Sequence, residues 1–75
     1  MSIPAGDVEV DDEGAVTGSG LAFDLYTARI AALDAYVSSH GQTPLPASQR
    51  VSELRWYASE ATVYAEIFAP YLTPP

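Results

Sequence analysis

The sequence predicts a mainly helical α+β fold in which a short β-hairpin is followed by two antiparallel helices and an extended, proline-rich tail. Valines that alternate with acids near residue 10 indicate the hairpin, and two long stretches with apolar residues at helical spacing indicate the helices. The chain has 75 residues, a length typical of one small domain. We divide that domain into an extended N-terminal arm (1–6), a β-hairpin (7–17), helix 1 (20–39), helix 2 (47–69) and a tail (70–75).

The predicted hairpin begins with Val8 and Val10, which alternate with acidic residues in the period-2 pattern of a half-buried strand. Gly14 can adopt a positive φ and so close a three-residue loop with a bulge. Residues 15–17 then supply a short returning strand. A hairpin this short is marginal alone in water, so we expect it to pack on the helices or to pair with a neighbouring strand.

Residues that suit helix ends bound the two predicted helices. Ser19 is a favourable N-cap for helix 1, and Gly41 can end that helix in the left-handed conformation. Helix 2 follows a connector that contains two prolines, and it ends where Pro70 removes a backbone donor. We expect residues 70–75 to be extended, because three prolines lie there.

Both predicted helices carry two apolar stripes, although a two-helix contact uses only one stripe of each helix. We expect the alanine-rich stripes to face each other, because small side chains let helices approach closely, and the bulky stripes to face outward. In helix 1 the alanine-rich stripe is Leu21, Leu25, Ala28, Ala32 and Ala35, and the bulky stripe is Tyr26, Ile30, Leu33 and Val37. In helix 2 the corresponding stripes are Val51, Leu54, Ala58, Ala61, Ala65 and Phe68, and Trp56, Val63 and Ile67.

The row formed by Trp56, Val63 and Ile67 is the predicted contact surface for another protein. The hairpin valines can cover the bulky stripe of helix 1, but they cannot also cover the far side of helix 2. Tyr71 and Leu72 of the tail belong to the same predicted interface. In the alternative arrangement, these two tail side chains fold back and cover Trp56 within the same molecule.

The formal net charge is −7, from ten acidic residues and three arginines. An acidic surface repels the phosphate backbone of nucleic acids and the anionic headgroups of membranes. No apolar run approaches the roughly 18 residues that a membrane span needs. We therefore expect a protein partner, either a second copy or a different chain in an oligomer or larger assembly, and neither direct nucleic-acid binding nor a membrane location.

No group of residues in the sequence indicates an enzyme, a cofactor site or a metal site. His40 follows two serines, but it lies at the predicted C-terminus of helix 1, where backbone carbonyls oppose developing negative charge. The acids before Gly14 match a calcium loop poorly, because the glycine comes two positions late and no helix precedes it. We expect a non-enzymatic protein with no catalytic residues, no cofactor and no bound metal.

Three segments carry a resemblance to a known group of proteins: VTGSGLA at 16–22, LY at 25–26 and PYL at 70–72. With these segments the chain resembles small uncharacterised proteins encoded among the structural genes of tailed bacteriophages. The resemblance implies a structural or assembly subunit of a phage particle, in a capsid-decorating or tail-associated position. It also implies a location in the virion, or in the cytoplasm of the bacterial host during assembly.

An alternative function is that of an acidic, phage-encoded inhibitor that blocks a basic nucleic-acid-binding site on a host protein. The carboxylates of the predicted hairpin would then mimic the phosphates of a nucleic acid. This acidic surface consists of Asp7, Glu9, Asp11, Asp12 and Glu13.

Overall fold

The computed structural model of the chain describes residues 3–72. In chain order it contains the strands β1 (Asp7–Val10) and β2 (Val16–Ser19) and the helices α1 (Gly20–Ser39) and α2 (Val51–Phe68). Short 3-10 helices lie at Ala47–Gln49 and Ala69–Leu72. The structure thus confirms a mainly helical fold in which an antiparallel hairpin precedes two helices.

The hairpin pairs Val8 with Gly18 and Val10 with Val16. Its loop closes as predicted, because the Asp11 amide donates to the Ala15 carbonyl at 2.9 Å and Gly14 has a φ of 87°. The Asp11 carboxylate reinforces the loop by accepting from the amides of Glu13 and Ala15 at 2.9 and 2.8 Å. The returning strand extends to Ser19, two residues beyond the predicted end of the hairpin.

The N-terminus of α1 is capped by backbone groups from the arm. Ser19 occupies the N-cap position, as predicted, but its side chain makes no capping hydrogen bond. Instead, the amide of Leu21 donates to the Pro4 carbonyl at 3.0 Å, and the amide of Ala22 donates to the Ala5 carbonyl at 2.8 Å. Because these amides have no partner within the helix, the arm supplies the acceptors that they need. Residues 1 and 2 of the predicted arm lie outside the described residues.

Helix α1 ends at Ser39, and Gly41 stops it as predicted by adopting the left-handed conformation, with a φ of 77°. The amide of Gly41 donates to the Ser38 carbonyl at 3.0 Å, and the amide of Gln42 donates to the Val37 carbonyl at 3.1 Å. These two bonds form a Schellman motif, which satisfies carbonyls at the end of the helix.

The second helix differs from its predicted bounds of 47–69. Arg50, with a φ of −134°, separates the first 3-10 helix from α2. The prediction of an extended tail over 70–75 is wrong for residues 70–72, which form the second 3-10 helix. The fixed φ of proline is compatible with a helical turn, so Pro70 removes one donor without straightening the chain. Residues 73–75 lie outside the described residues.

One core joins the hairpin and both helices, and it contains Val8, Val10, Ala22, Tyr26, Leu54, Ala58, Ala61 and Ala65. The predicted inward stripe of α2 is therefore correct along most of its length, although Phe68 is exposed. The predicted inward stripe of α1 is wrong for its three alanines, because Ala28, Ala32 and Ala35 are exposed whereas Ile30, Leu33 and Val37 are half-buried. Leu21 and Leu25 of the same stripe do pack against the core. Packing the bulky face of α1 on the alanine face of α2 buries more apolar area and still permits close approach.

Two ion pairs link α1 to α2 and give their relative direction. Asp34 of α1 pairs with Arg50 at the start of α2, whereas Arg29, earlier in α1, lies 4.0 Å from Glu60, later in α2. The chain therefore runs in opposite directions along the two helices, as predicted.

Candidate protein interaction surface

The face of α2 that points away from α1 and the hairpin is rich in large apolar side chains. Trp56, Val63 and Ile67 are spaced by two turns and one turn, so they form one row on the helix. They lie opposite the buried Ala58 and Ala65, and the three residues are 62, 53 and 50 % exposed. The structure therefore brings these three predicted interface residues together on an uncovered surface.

The tail residues do not cover this row. Tyr71 is 83 % exposed and Leu72 is 52 % exposed, although both follow α2 directly in the second 3-10 helix. The alternative arrangement, in which these two side chains fold over Trp56, is not found. Both residues are instead exposed directly after the end of α2.

Tyr64 and Phe68 belong to the same surface, although the sequence pattern did not identify them. Their rings stack with centroids 6.0 Å apart, and both side chains are about half exposed. Phe68 was expected in the core, and Tyr64 lies between the two predicted stripes of helix 2. The available signal was the one-turn spacing of two aromatic residues, which lets their rings meet on a helix. We call Trp56, Val63, Tyr64, Ile67 and Phe68 the α2 outer face.

The surface of the α2 outer face contains two shallow depressions. One, of about 330 Å³, is lined by Trp56, Ser59, Glu60, Val63 and Tyr64. The other, of about 300 Å³, lies where α2 meets α1 and is lined by residues that include Leu25, Tyr57, Tyr64 and Phe68. Tyr64 lies between the two depressions and lines both. Ridges and grooves of this kind can accept the side chains of another helix.

Carboxylates surround the α2 outer face, and no free cation lies on it. Glu53 and Glu66 are exposed and take part in no ion pair within residues 3–72. Glu60 lies 4.0 Å from Arg29, whose guanidinium also lies 5.6 Å from the centre of the Tyr57 ring. Arg55, the only arginine on α2 itself, donates to the Val10 carbonyl at 3.1 Å and to the Asp12 carboxylate at 2.7 Å. The surface is thus apolar along its centre and acidic at its margins.

The acidic residues of the hairpin are divided between structural and free positions. Asp11 closes the loop, and Asp12 pairs with Arg55 and so holds the loop on α2. Asp7, Glu9 and Glu13 are exposed and form no ion pair with the other described residues. Of the five acidic residues predicted to mimic phosphates, only these three have carboxylates that are not engaged in the loop or in an ion pair with the described residues.

A partly buried ion pair connects Asp34 of α1 with Arg50, which directly precedes α2. Arg50 donates two hydrogen bonds to Asp34, from Nη1 to Oδ1 at 2.8 Å and from Nη2 to Oδ2 at 3.1 Å. These bonds hold the pKa of the Asp34 carboxyl below its ordinary value. Burial raises the pKa of the neighbouring Tyr26 hydroxyl, and the Arg50 charge partly offsets that increase. The pair lines a groove of about 410 Å³ between the hairpin loop and the helices, and it joins α1 to α2.

His40 makes only local contacts at the end of α1. Its Nδ1 lies 2.9 Å from the Tyr36 carbonyl and 3.2 Å from Ser39 Oγ, and its ring packs on Tyr36 with centroids 4.3 Å apart. Within residues 3–72, no three histidine, cysteine or acidic side chains are grouped so that they could hold a metal ion. Neither helix in that part of the chain is both long enough and apolar enough to cross a membrane.

No family model matches the chain, and comparisons with curated proteins and with solved structures likewise find no match.

Proposed function

We propose that the chain is a non-enzymatic assembly subunit of a bacteriophage particle and that it docks on another protein subunit through the α2 outer face. The observation that carries the proposal is the continuous exposure of Trp56, Val63 and Ile67 on one side of a helix. The resemblance of residues 16–22, 25–26 and 70–72 to tailed-phage structural proteins supplies the biological context. A capsid-decorating and a tail-associated position both fit a small chain with one docking face.

The energetics favour such a contact. Burial of a large apolar side chain contributes about 1.5–3 kcal/mol, and the α2 outer face offers five such side chains that are only partly buried in the monomer. Association costs at least about 4 kcal/mol in lost translational and rotational freedom. Burial of several of these side chains can therefore exceed the cost. A domain of this size with no cysteine also gains stability from a bound neighbour.

The proposal is tested by replacing Trp56 and Ile67 with glutamine in the phage that encodes the chain. Both side chains are exposed, so we expect the variant to fold and melt like the wild type. Purified particles should contain the wild-type chain in a fixed ratio to other subunits, and the variant chain should be lost from them. Quantitative mass spectrometry of the particles measures both outcomes.

The matched control is Ala32→Gln together with Ala35→Gln, two exposed positions on the outward side of α1. These changes add two amides to a different helix face, so particle incorporation should remain. The proposal is wrong if the wild-type chain is absent from particles and assembly intermediates, or if the Trp56/Ile67 variant enters them as well as the control does.

A second proposed function, an acidic inhibitor of a host nucleic-acid-binding protein, has support from the exposed Asp7, Glu9 and Glu13. It is the weaker proposal, because Asp11 and Asp12 are engaged within the molecule and cannot also serve as free phosphate mimics. Replacement of Glu9 and Glu13 by glutamine should abolish inhibition and leave an α2-based contact intact. The two functions are therefore separable by variants in different elements.

A further inference from the structure

We infer that the partner of the α2 outer face is a different protein, which presents an amphipathic helix whose apolar row is flanked by lysine or arginine. The inference rests on the proposed function and identifies the class of surface that the α2 outer face recognises. Three features support this inference. Every arginine is engaged within the molecule, the carboxylates that lack an ion pair lie beside the apolar row, and the surface of the face has depressions.

All three arginines of the chain are engaged within the molecule. Arg50 pairs with Asp34, Arg55 pairs with Asp12, and Arg29 lies beside Glu60 and the Tyr57 ring. Of the ten acidic residues, three take part in these pairs, so seven remain without an ion-pair partner among the described residues. Arg50 also interacts electrostatically with Glu53 but forms no ion pair with it. The chain has no lysine, so a further lysine or arginine that pairs with these carboxylates must come from another molecule.

Two of these carboxylates, Glu53 and Glu66, lie beside the apolar row of the α2 outer face. Glu53 is one turn before Trp56, and Glu66 is one turn after Val63. Glu60 lies between them and has only a long, partly exposed pair with Arg29. Cationic side chains that flank the apolar row of a partner would meet these carboxylates when the two rows pack together.

A second copy of the chain does not fit this requirement. In a symmetric dimer the same patch occurs on both sides of the interface, so the glutamates of one copy would face those of the other. The face offers no free arginine to compensate them, and like charges brought together at an interface oppose association. The charge of the face therefore favours a heterologous partner over self-association.

A helix is the secondary-structure element that best fits the depressions on the α2 outer face. The depression between Trp56, Val63 and Tyr64 follows the side-chain rows of α2, and such grooves accept the ridge of a second helix. An apolar partner row with one or two large side chains would enter this depression. Its flanking cations would then lie at the level of Glu53, Glu60 and Glu66.

The test uses the full chain and two synthetic helical peptides with the same leucine row, flanked by lysine in one and by glutamate in the other. Trp56 is the only tryptophan, so its fluorescence reports directly on the occupied face. We expect the lysine peptide to shift the emission to shorter wavelength and to bind at least about 10-fold more tightly than the glutamate peptide at physiological salt. The preference should decrease at 1 M salt, where the Debye length falls to about 3 Å.

Two variants with the same change in net charge identify the carboxylates responsible. Glu53→Gln with Glu66→Gln should remove most of the preference for the lysine peptide, whereas Glu9→Gln with Glu13→Gln, on the hairpin, should retain it. The inference is overturned if the two peptides bind equally, if neither binds, or if both double variants behave alike. It is also overturned if sedimentation shows that the chain forms a dimer and the Trp56 emission shifts to shorter wavelength as that dimer forms.

Failure of this test is distinguishable from failure of the proposed function. If incorporation of the chain into particles depends on Trp56 but the chain shows no preference for the lysine peptide, docking through the α2 outer face is supported. The inference that the partner helix is flanked by lysine or arginine is then wrong. If the chain never enters particles, the assembly role fails whatever the peptides do.

Discussion

At the scale of single residues, Arg50 is the least exposed of the side chains that form ion pairs within residues 3–72. It separates the first 3-10 helix from α2, and its bidentate contact with Asp34 joins α2 to α1. The Arg50 side chain is only 15 % exposed, so loss of its partner would leave a poorly solvated cation. The sequence did not identify this role, because Asp34 lies on the other helix, 16 residues away along the chain.

The lowered pKa of Asp34 predicts how the pair responds to acid. A carboxyl whose pKa is lower in the folded state stabilises the fold above its unfolded pKa, which is about 3.9. That contribution is lost as the pH falls through the still lower folded-state pKa. Asp34→Asn should therefore reduce stability by about 1–2 kcal/mol at neutral pH. The difference from wild type should shrink below about pH 4, as measured by urea unfolding at a series of pH values.

Asp24→Asn is the control for this measurement, because Asp24 is exposed on the same helix and forms no ion pair within the described residues. We expect this variant to remain within about 0.5 kcal/mol of wild type. If the free energies of unfolding of wild type and Asp34→Asn differ by the same amount at every pH down to strong acid, the ion pair of Asp34 with Arg50 does not have the stabilising role proposed for it.

At the scale of elements, the packing of α1 on α2 shows what helical periodicity can and cannot determine. The periodicity correctly gave two stripes on each helix, and it placed Leu54, Ala58, Ala61 and Ala65 in the core. It could not decide which stripe of α1 meets them, because that choice depends on the shape of the opposing surface. Tyr26 is buried in the same core as these alanines, so the bulky stripe of α1 packs inward, whereas Ala28, Ala32 and Ala35 face solvent.

Alanine-to-leucine substitutions on the two helices should therefore have opposite outcomes. Ala65 is fully buried, so Ala65→Leu should overpack the core and cost about 1–3 kcal/mol of stability. Ala32 is exposed on α1, so Ala32→Leu should change stability by less than about 0.5 kcal/mol. Chemical denaturation of both variants measures the difference. Equal destabilisation would mean that the alanine stripe of α1 is buried after all.

The N-terminal arm acts as the cap of α1, and its conformation depends on Gly6. Gly6 has a φ of 71°, and an added Cβ would overlap the carbonyl of Ser19. Gly6→Ala should displace Pro4 and Ala5 from the amides that they cap, with a loss of more than about 1 kcal/mol. Protection of the Leu21 and Ala22 amides against hydrogen exchange should fall in parallel.

Gly41→Ala provides the comparison, because Gly41 also has a positive φ but nothing lies within 4 Å of its Cβ position. This variant should show only the conformational cost, about 1 kcal/mol, and unchanged protection at Leu21. If Gly6→Ala costs no more than Gly41→Ala, the arm does not hold the helix start. The sequence could not give this cap, since the acceptors are backbone carbonyls of a segment that has no capping signature.

At the scale of the whole molecule, the chain forms a thin body of 44 × 27 × 14 Å in which α2 packs on both α1 and the hairpin. A body this thin has one main core and leaves the far side of α2 in solvent. The sequence anticipated that surface, because two stripes on a short helical pair exceed what one hairpin can cover. The sequence did not identify Tyr64 and Phe68, which extend the surface towards α1. Periodicity alone cannot say whether residues at the edge of a stripe are buried or exposed, because that depends on how the two helices pack.

The excess of negative charge is also a property of the whole molecule, and it predicts how salt affects folding. Seven carboxylates lack an ion-pair partner among the described residues, and a net charge of this size opposes compaction by self-repulsion. Salt screens that repulsion, whereas the short, partly buried contact of Arg50 with Asp34 is screened much less. The melting temperature should therefore rise by several degrees between about 0.01 and 0.3 M salt, since 1 kcal/mol corresponds to about 4–8 °C in a domain of this size.

Glu9→Gln with Glu13→Gln reduces the repulsion without touching an ion pair, so this variant should melt higher than wild type at low salt. Its response to added salt should be smaller, because less repulsion remains to be screened. A melting temperature that falls with salt in circular dichroism would mean that the exposed pairs of Asp12 with Arg55 and of Arg29 with Glu60 outweigh the uncompensated acids. Such pairs contribute at most about 1 kcal/mol each, so the balance should favour the repulsion between carboxylates.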